Sequence, residues 1–137
     1  MTFDDALEAR LRDAPAIADT VADRVSWSLQ LRLLPAITLR IIADPRPQHF
    51  GGAQRVRATW VQIDAWARTK AAASALREAV IAELTAPALI DEIQFQRGFV
   101  TRQRGGPHQE LQGTAMRVIP ELFREETDFK LTHNALS

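Results

Sequence analysis

Between Arg55 and Leu84 the side-chain pattern changes period once, and that change restricts the fold more than any other feature of the chain. From Arg55 to Trp66 it alternates, with Val61, Ile63 and Ala65 on one side and Trp60, Gln62, Asp64 and Trp66 on the other, the period of two that marks a strand. Both sides carry apolar residues, so alternation alone leaves open which of them is buried. Thr69 then supplies a hydroxyl for a helix N-terminus, and Leu76, Val80 and Leu84 recur every four residues on an alanine-rich background. The pattern predicts a helix over Lys70 to Leu84, stopped by Pro87.

The other elements follow from the same two periods. Thr2 with Asp5 reads as a helix start, and Phe3, Leu7 and Leu11 place one apolar stripe on a helix from Phe3 to Arg12. Ala16 to Asp23 has room for a helical turn, and Val25 to Leu29 for a strand. Leu34 to Ala43 alternates, with Ile37, Leu39 and Ile41 on one face and Thr38, Arg40 and Ile42 on the other. Asp44 to Gln54 holds two prolines and Gly51-Gly52, and is expected to be a long, irregular hairpin loop, mobile until the protein assembles. Ile93 to Arg102, Thr114 to Leu122 and Thr127 to His133 are strand-like, with a Gly/Pro-rich loop expected from Gly105 to Gly113. This order predicts an α+β fold: a mainly antiparallel sheet with two principal helices packed on one face. At least one of Trp60 and Trp66 is expected to pack under a helix.

The chain has 137 residues, 17 basic and 17 acidic, and no cysteine. A core of useful size fits this length without staples, as one domain over 1–137. Thiol catalysis and disulfide frameworks are excluded. The longest run without Asp, Glu, Lys or Arg is Pro47 to Gln54, far short of the ~20 apolar residues of a membrane-spanning helix. Asp4, Asp5 and Glu8 stand where a signal peptide would be basic and then apolar, so the chain is expected to stay in the cell unless it leaves within a particle. Zero net charge speaks against a dedicated nucleic-acid binder. The charge is nevertheless divided: residues 1–23 carry −4, 24–117 carry +6 and 118–137 carry −2.

No pattern for metal, phosphate or nucleophilic chemistry appears. His49, His108 and His133 lack ligand spacing, two of them falling in expected loops, and neither glycine pair precedes Lys-Ser or Lys-Thr. The adjacent acids Asp4-Asp5, Asp91-Glu92 and Glu125-Glu126 point different ways in regular structure and are read as solvated. Asp64 has two readings: a general base with a raised pKa, or a carboxylate accepting from the amides that open the next helix. No second titratable group lies near it in sequence, so an enzyme is not expected, and neither cofactor nor metal is called for.

Residues 57–73, Arg-Ala-Thr-Trp-Val-Gln-Ile-Asp-Ala-Trp-Ala-Arg-Thr-Lys-Ala-Ala-Ala, resemble the central signature of the tail-completion (tail terminator) proteins of long-tailed phages, prophages and gene transfer agents. Asp23-Arg24-Val25, the Leu34 to Leu39 strand, Gly51-Gly52 and the final Glu125 to His133 segment also fit. The likeness spans about residues 3–133, with 105–126 departing from it. It implies a homo-oligomeric ring, usually of six copies, seated on the last turn of the tail tube. Such a ring stops polymerisation and offers its other side to the head-tail connector, with the major tail tube protein beneath. DNA passes transiently through the lumen, no membrane is involved, and assembly takes place in the bacterial cytoplasm within a virion or virion-like particle. The rivals are a neck protein of the same particle and a small α+β ligand-binding domain using Asp64 with His49 or His108. For a ring, Arg55, Arg57, Arg97, Arg102, Arg104, His49 and Phe50 are the expected interface residues, with the Arg97 to Arg104 segment meeting acids of residues 1–23 on a neighbour.

Overall fold

A computed structural model describes residues 1–27, 33–46, 48–49, 52–53, 56–112 and 115–135. Helix α1 (Phe3–Asp13) opens with the expected capping box: the Thr2 hydroxyl accepts from the Asp5 amide at 3.2 Å, and the Asp5 carboxylate accepts from the Thr2 amide. Helix α2 (Pro15–Val21) is two turns rather than one, with Pro15 at its first position, where a missing N–H costs nothing. Strands β1 (Val25–Ser26) and β2 (Ala36–Ala43) pair in parallel. The far half of the expected Val25 to Leu29 strand lies outside the described residues. Within the expected irregular loop, β3 (Gln48–His49) and β4 (Gly52–Ala53) form a small hairpin, so this segment holds regular structure. Pro47, Phe50, Gly51 and Gln54 of this loop lie outside the described residues.

Strand β5 (Arg57–Ala67) runs into α3 (Lys70–Leu84), and the Thr69 hydroxyl accepts from the Ala72 amide at 3.1 Å. Strands β6 (Ala88–Ile90), β7 (Ile93–Phe95), β8 (Phe99–Gln112) and β9 (Ala115–Ala135) complete the chain. The sheet order is β1-β2-β5-β9-β7-β6, with β8 also on β9, and among the described residues only β1–β2 is parallel. β5 and β9 pair without interruption from Arg57↔His133 to Ala67↔Phe123.

The expected Gly105 to Gly113 loop is instead largely strand. β8 continues to Gln112, and β9 passes unbroken through Phe123 to Glu126, where the sequence suggested a gap. The glycines and Pro107 are tolerated because β8 is an edge strand whose ladder shifts at Pro107/Gln109. Opposite that shift β9 carries three extra residues, and Glu121 takes a positive φ of 57°.

All three helices cover one face. Leu7, Leu11, Ile17, Val21, Leu76, Val80 and Leu84 meet Ile37, Leu39, Val61, Ile63, Phe95, Phe129 and Leu131 in one core. Each such side chain contributes about 1.5–3 kcal/mol when fully buried. This settles the orientation of β5: Val61, Ile63 and Ala65 face the helices, and Trp66, buried at 5% exposure, lies on the other side. Packing under a helix therefore fails for Trp66. Among the described residues no helix is long and apolar enough to cross a membrane.

Candidate functional site

The helix-free face collects polar side chains from four strands because register aligns their like-facing positions. Thr38 and Arg40 of β2 lie beside Asp64 and Gln62 of β5, which lie beside Glu126 and Asp128 of β9, which lie beside Arg104 and Arg102 of β8. Hydrogen bonds join most of these positions into a chain. Arg40 Nη2 donates to Gln62 Oε1 at 2.6 Å, and Gln62 Nε2 donates to both Asp64 oxygens at 3.2 Å. Arg124 Nη2 donates to Asp64 Oδ2 at 2.8 Å and lies 3.7 Å from Glu126 Oε1. Arg104 closes the series on Glu126 with two bonds, at 2.6 and 3.2 Å.

Trp66 anchors this network. Its indole N–H donates to Thr38 Oγ1 at 2.8 Å, the Arg124 guanidinium sits 5.1 Å over the ring, and the His108 ring makes a T-shaped contact with it, 5.0 Å between centroids. Beside it Arg104, Arg124, Glu126, His108 and the Gly105-Gly106-Pro107 backbone line a cleft of about 190 Å³. Burial raises the Asp64 carboxyl above the ordinary aspartate range, opposed by Arg124 and Gln62. For Glu126, burial also acts to raise the pKa, but Arg104 and Arg124 outweigh it and the group sits below its usual range. Asp64 is thus a mid-strand partner of Arg124 on the helix-free face, and the helix-opening role expected of it does not hold.

On the helix side, Glu125 is 4% exposed and accepts from Ser74 Oγ at 3.3 Å and Arg77 Nη1 at 3.1 Å. The pair Glu125-Glu126 is therefore not solvated. Adjacent strand residues do point to opposite faces, and here both faces are covered. Gly105 lies against this carboxylate, since a Cβ there would stand 1.7 Å from Glu125 Oε2. Arg10, also 2% exposed, donates Nε to Glu83 Oε1 at 3.0 Å and Nη2 to the carbonyls of Glu83 and Ala86, tying α1 to the negative end of α3.

The expected interface residues do not form one patch. Arg55 and Phe50 lie outside the described residues, and His49 is known through its backbone in β3, not in an irregular loop. His108 is likewise in β8 and His133 in β9. Arg57 is turned inward, donating to Asp44 Oδ1 at 2.5 Å. Burial acts to raise the pKa of Asp44, but Arg57, Thr59 and Arg46 outweigh it and leave the carboxyl below its usual range. Arg57 pairs with His133, seven positions along β9 from Glu126, which at the strand rise is about 23 Å from Arg104. Arg102 and Arg104 share the β8 edge strand, and Arg97 lies in the connection from β7 that precedes it; all three are exposed, although Arg104 is held by Glu126. Arg10, Arg124 and Trp66 were not marked as partners in the sequence; the shared parity of Gln62, Asp64 and Trp66 was the available signal for part of this face.

No family model matches the chain, and no curated protein does. Among solved structures it is similar to a chain of the virion of a native gene transfer agent particle, with a TM-score of 0.69 over 97% of this chain and 95% of that one. At 16% identity the two share a fold.

Proposed function

We propose that this chain is a structural subunit of a phage-like particle and, within it, a tail-completion protein. In this reading it acts by assembly: copies form a ring on the last turn of the tail tube, end its polymerisation, and present a surface to the head-tail connector. The observation that carries the reading is the near full-length fold likeness to a chain of a gene transfer agent virion. The resemblance of residues 57–73 to the tail-terminator signature supports the finer assignment. The divided charge suits a heterologous contact, in which one patch meets a different patch on the next copy. A neck protein of the same particle would share these features. Deleting the gene in a producing strain and imaging the particles separates the two: tails of uncontrolled length are expected for a tail-completion protein. Tails of normal length lacking only heads point to the neck role, and intact particles refute both.

A further inference from the structure

Rows of like-facing residues cross the helix-free face, and charge is balanced in some of them and not in others. In the row of Thr38, Asp64, Glu126 and Arg104, both acids are paired, with Arg124 and Arg104. The next row toward the C-terminal end of β2 runs Arg40, Gln62, Asp128, Arg102, and the one after it Ala43, Trp60, Lys130, Phe99. In these two rows Arg40, Arg102 and Lys130 stand against the single carboxylate of Asp128. Arg40 donates to the neutral side-chain amide of Gln62, the Lys130 ammonium sits 5.4 Å from the centre of the Trp60 ring, and among the described residues none of the three cations is ion-paired. Arg40 and Arg102 are exposed, and Phe99, in the adjacent row, is 59% exposed. Asp44, just past the end of β2, is taken by Arg57 and Arg46 of its own chain and does not offset them.

We propose that this end of the helix-free face is a docking surface for an acidic segment of another protein, with carboxylates over Arg40 and Arg102 and an apolar side chain against Phe99. Three interstrand steps separate Arg40 from Arg102, about 14 Å. Positions i and i+4 of an extended segment lie about 13 Å apart, so acids at that spacing reach both guanidiniums. The residue between them need not be charged and can lie over Asp128. Charge complementarity of this kind sets register and partner choice. A nucleic-acid strand fits less well, because its phosphates repeat too closely to skip Asp128 and Lys130 already covers the Trp60 ring that a base would stack on. A second copy also fits less well. The exposed acids of α1 and α2 have no exposed large hydrophobic beside them except Met1, because Leu7, Leu11, Ile17 and Val21 face their own core. The inference does not depend on the tail-completion reading.

The test titrates isotope-labelled protein with the synthetic peptide acetyl-Ser-Glu-Gly-Ser-Gly-Glu-Phe-Ser-amide and follows backbone-amide and indole NMR shifts. Shifts are expected to gather at Arg40, Trp60, Phe99 and Arg102. The same peptide with glutamine in place of both glutamates should bind about tenfold more weakly, as the loss of two exposed ion pairs implies. Arg40→Glu/Arg102→Glu should lose binding of the acidic peptide to a similar degree with its circular-dichroism melt unchanged. Arg68→Glu/Lys70→Glu, which reverses exposed cations at the strand-to-helix junction, should keep it. No shifts at millimolar peptide, shifts centred elsewhere, or equal losses in the two variants overturn the proposal. Tighter binding of an oligothymidylate of the same length at these residues assigns the surface to nucleic acid and refutes it. Shifts of the same residues that grow with protein concentration, without peptide, assign it to a second copy and also refute it. None of these outcomes bears on the deletion phenotype, which tests the tail-completion reading separately.

Discussion

Replacing Arg124 by glutamine tests whether the helix-free face is held by charge pairing or merely lies beside it. The substitution removes the 2.8 Å bond to Asp64 and the guanidinium 5.1 Å above Trp66, but keeps a polar side chain of moderate length. Asp64 is 3% exposed and would be left with Gln62 as its remaining donor among the described contacts. Breaking a buried pair by deleting one partner costs about 3–5 kcal/mol. The Arg124 side chain is 31% exposed, which places the loss of the pair nearer 2 kcal/mol, since solvent screens part of the attraction. Loss of the cation–π contact adds about 0.5–1 kcal/mol. A total near 3 kcal/mol corresponds to a fall in Tm of about 10 °C for a chain of this size.

The pH dependence of that loss distinguishes a charge effect from a packing effect. Because burial raises Asp64 in the folded state, the native protein holds its proton more tightly than the unfolded chain, and stability falls as pH rises from the ordinary aspartate range through the raised value. Arg124→Gln raises that pKa further, so its cost should be near 3 kcal/mol at pH 8 and shrink to about 1 kcal/mol at pH 4, where the raised Asp64 carboxyl approaches neutrality. Urea melts at the two pH values measure this. Asp64→Asn added to the variant should recover part of the loss at pH 8. A cost below 0.5 kcal/mol at both pH values, or one that is independent of pH, would refute the reasoning.

Gly105→Ala should cost about 1–3 kcal/mol, because its Cβ displaces the Glu125 carboxylate from Ser74 and Arg77, and Glu125→Ala should relieve part of that cost in the double variant; additive losses in thermal melts would contradict the mechanism. Gly98→Ala should cost more than Gly105→Ala, since its Cβ would lie 2.4 Å from the Leu84 carbonyl oxygen, a backbone atom that cannot turn aside. Trp66→Ala should lower stability by about 3–5 kcal/mol, and Trp60→Ala, half-buried beside Lys130, by far less; equal losses would place both indoles in one environment. His133 sits within the sheet, its pKa lowered to about 4 by burial, with Arg57 acting in the same direction. It should remain neutral in an NMR titration until well below pH 6, and folding stability carried by its neutral form should fall as pH drops from about 6.5 towards 4; protonation at an ordinary histidine pKa would contradict its burial.

Local pattern was enough for α1 and α3, because their caps, stripes and stops lie within a few residues of one another: Thr2 with Asp5, Thr69 with Ala72, Leu76 with Val80 and Leu84. The α+β class and the antiparallel character of the sheet were legible for the same reason. Strand β8 was not, since Gly105, Gly106 and Pro107 carry a local preference for turns that pairing with β9 overrides. The side of β5 that faces the core was undecided in sequence because both its parities carry apolar residues, Trp60 and Trp66 on one and Val61, Ile63 and Ala65 on the other. Three helices arriving from distant segments buried Val61 and Ile63 and left Trp66 to the other face. The meeting of Asp64 with Arg124 spans sixty positions, and no spacing rule reports it. What the amino-acid sequence determined alone was what short-range sterics and hydrogen bonding determine: where helices begin and end, and which stretches alternate. Tertiary structure alone decided which charges are neutralised inside the chain and which stay exposed at a sheet edge, because register between strands far apart in sequence sets the distance between their side chains.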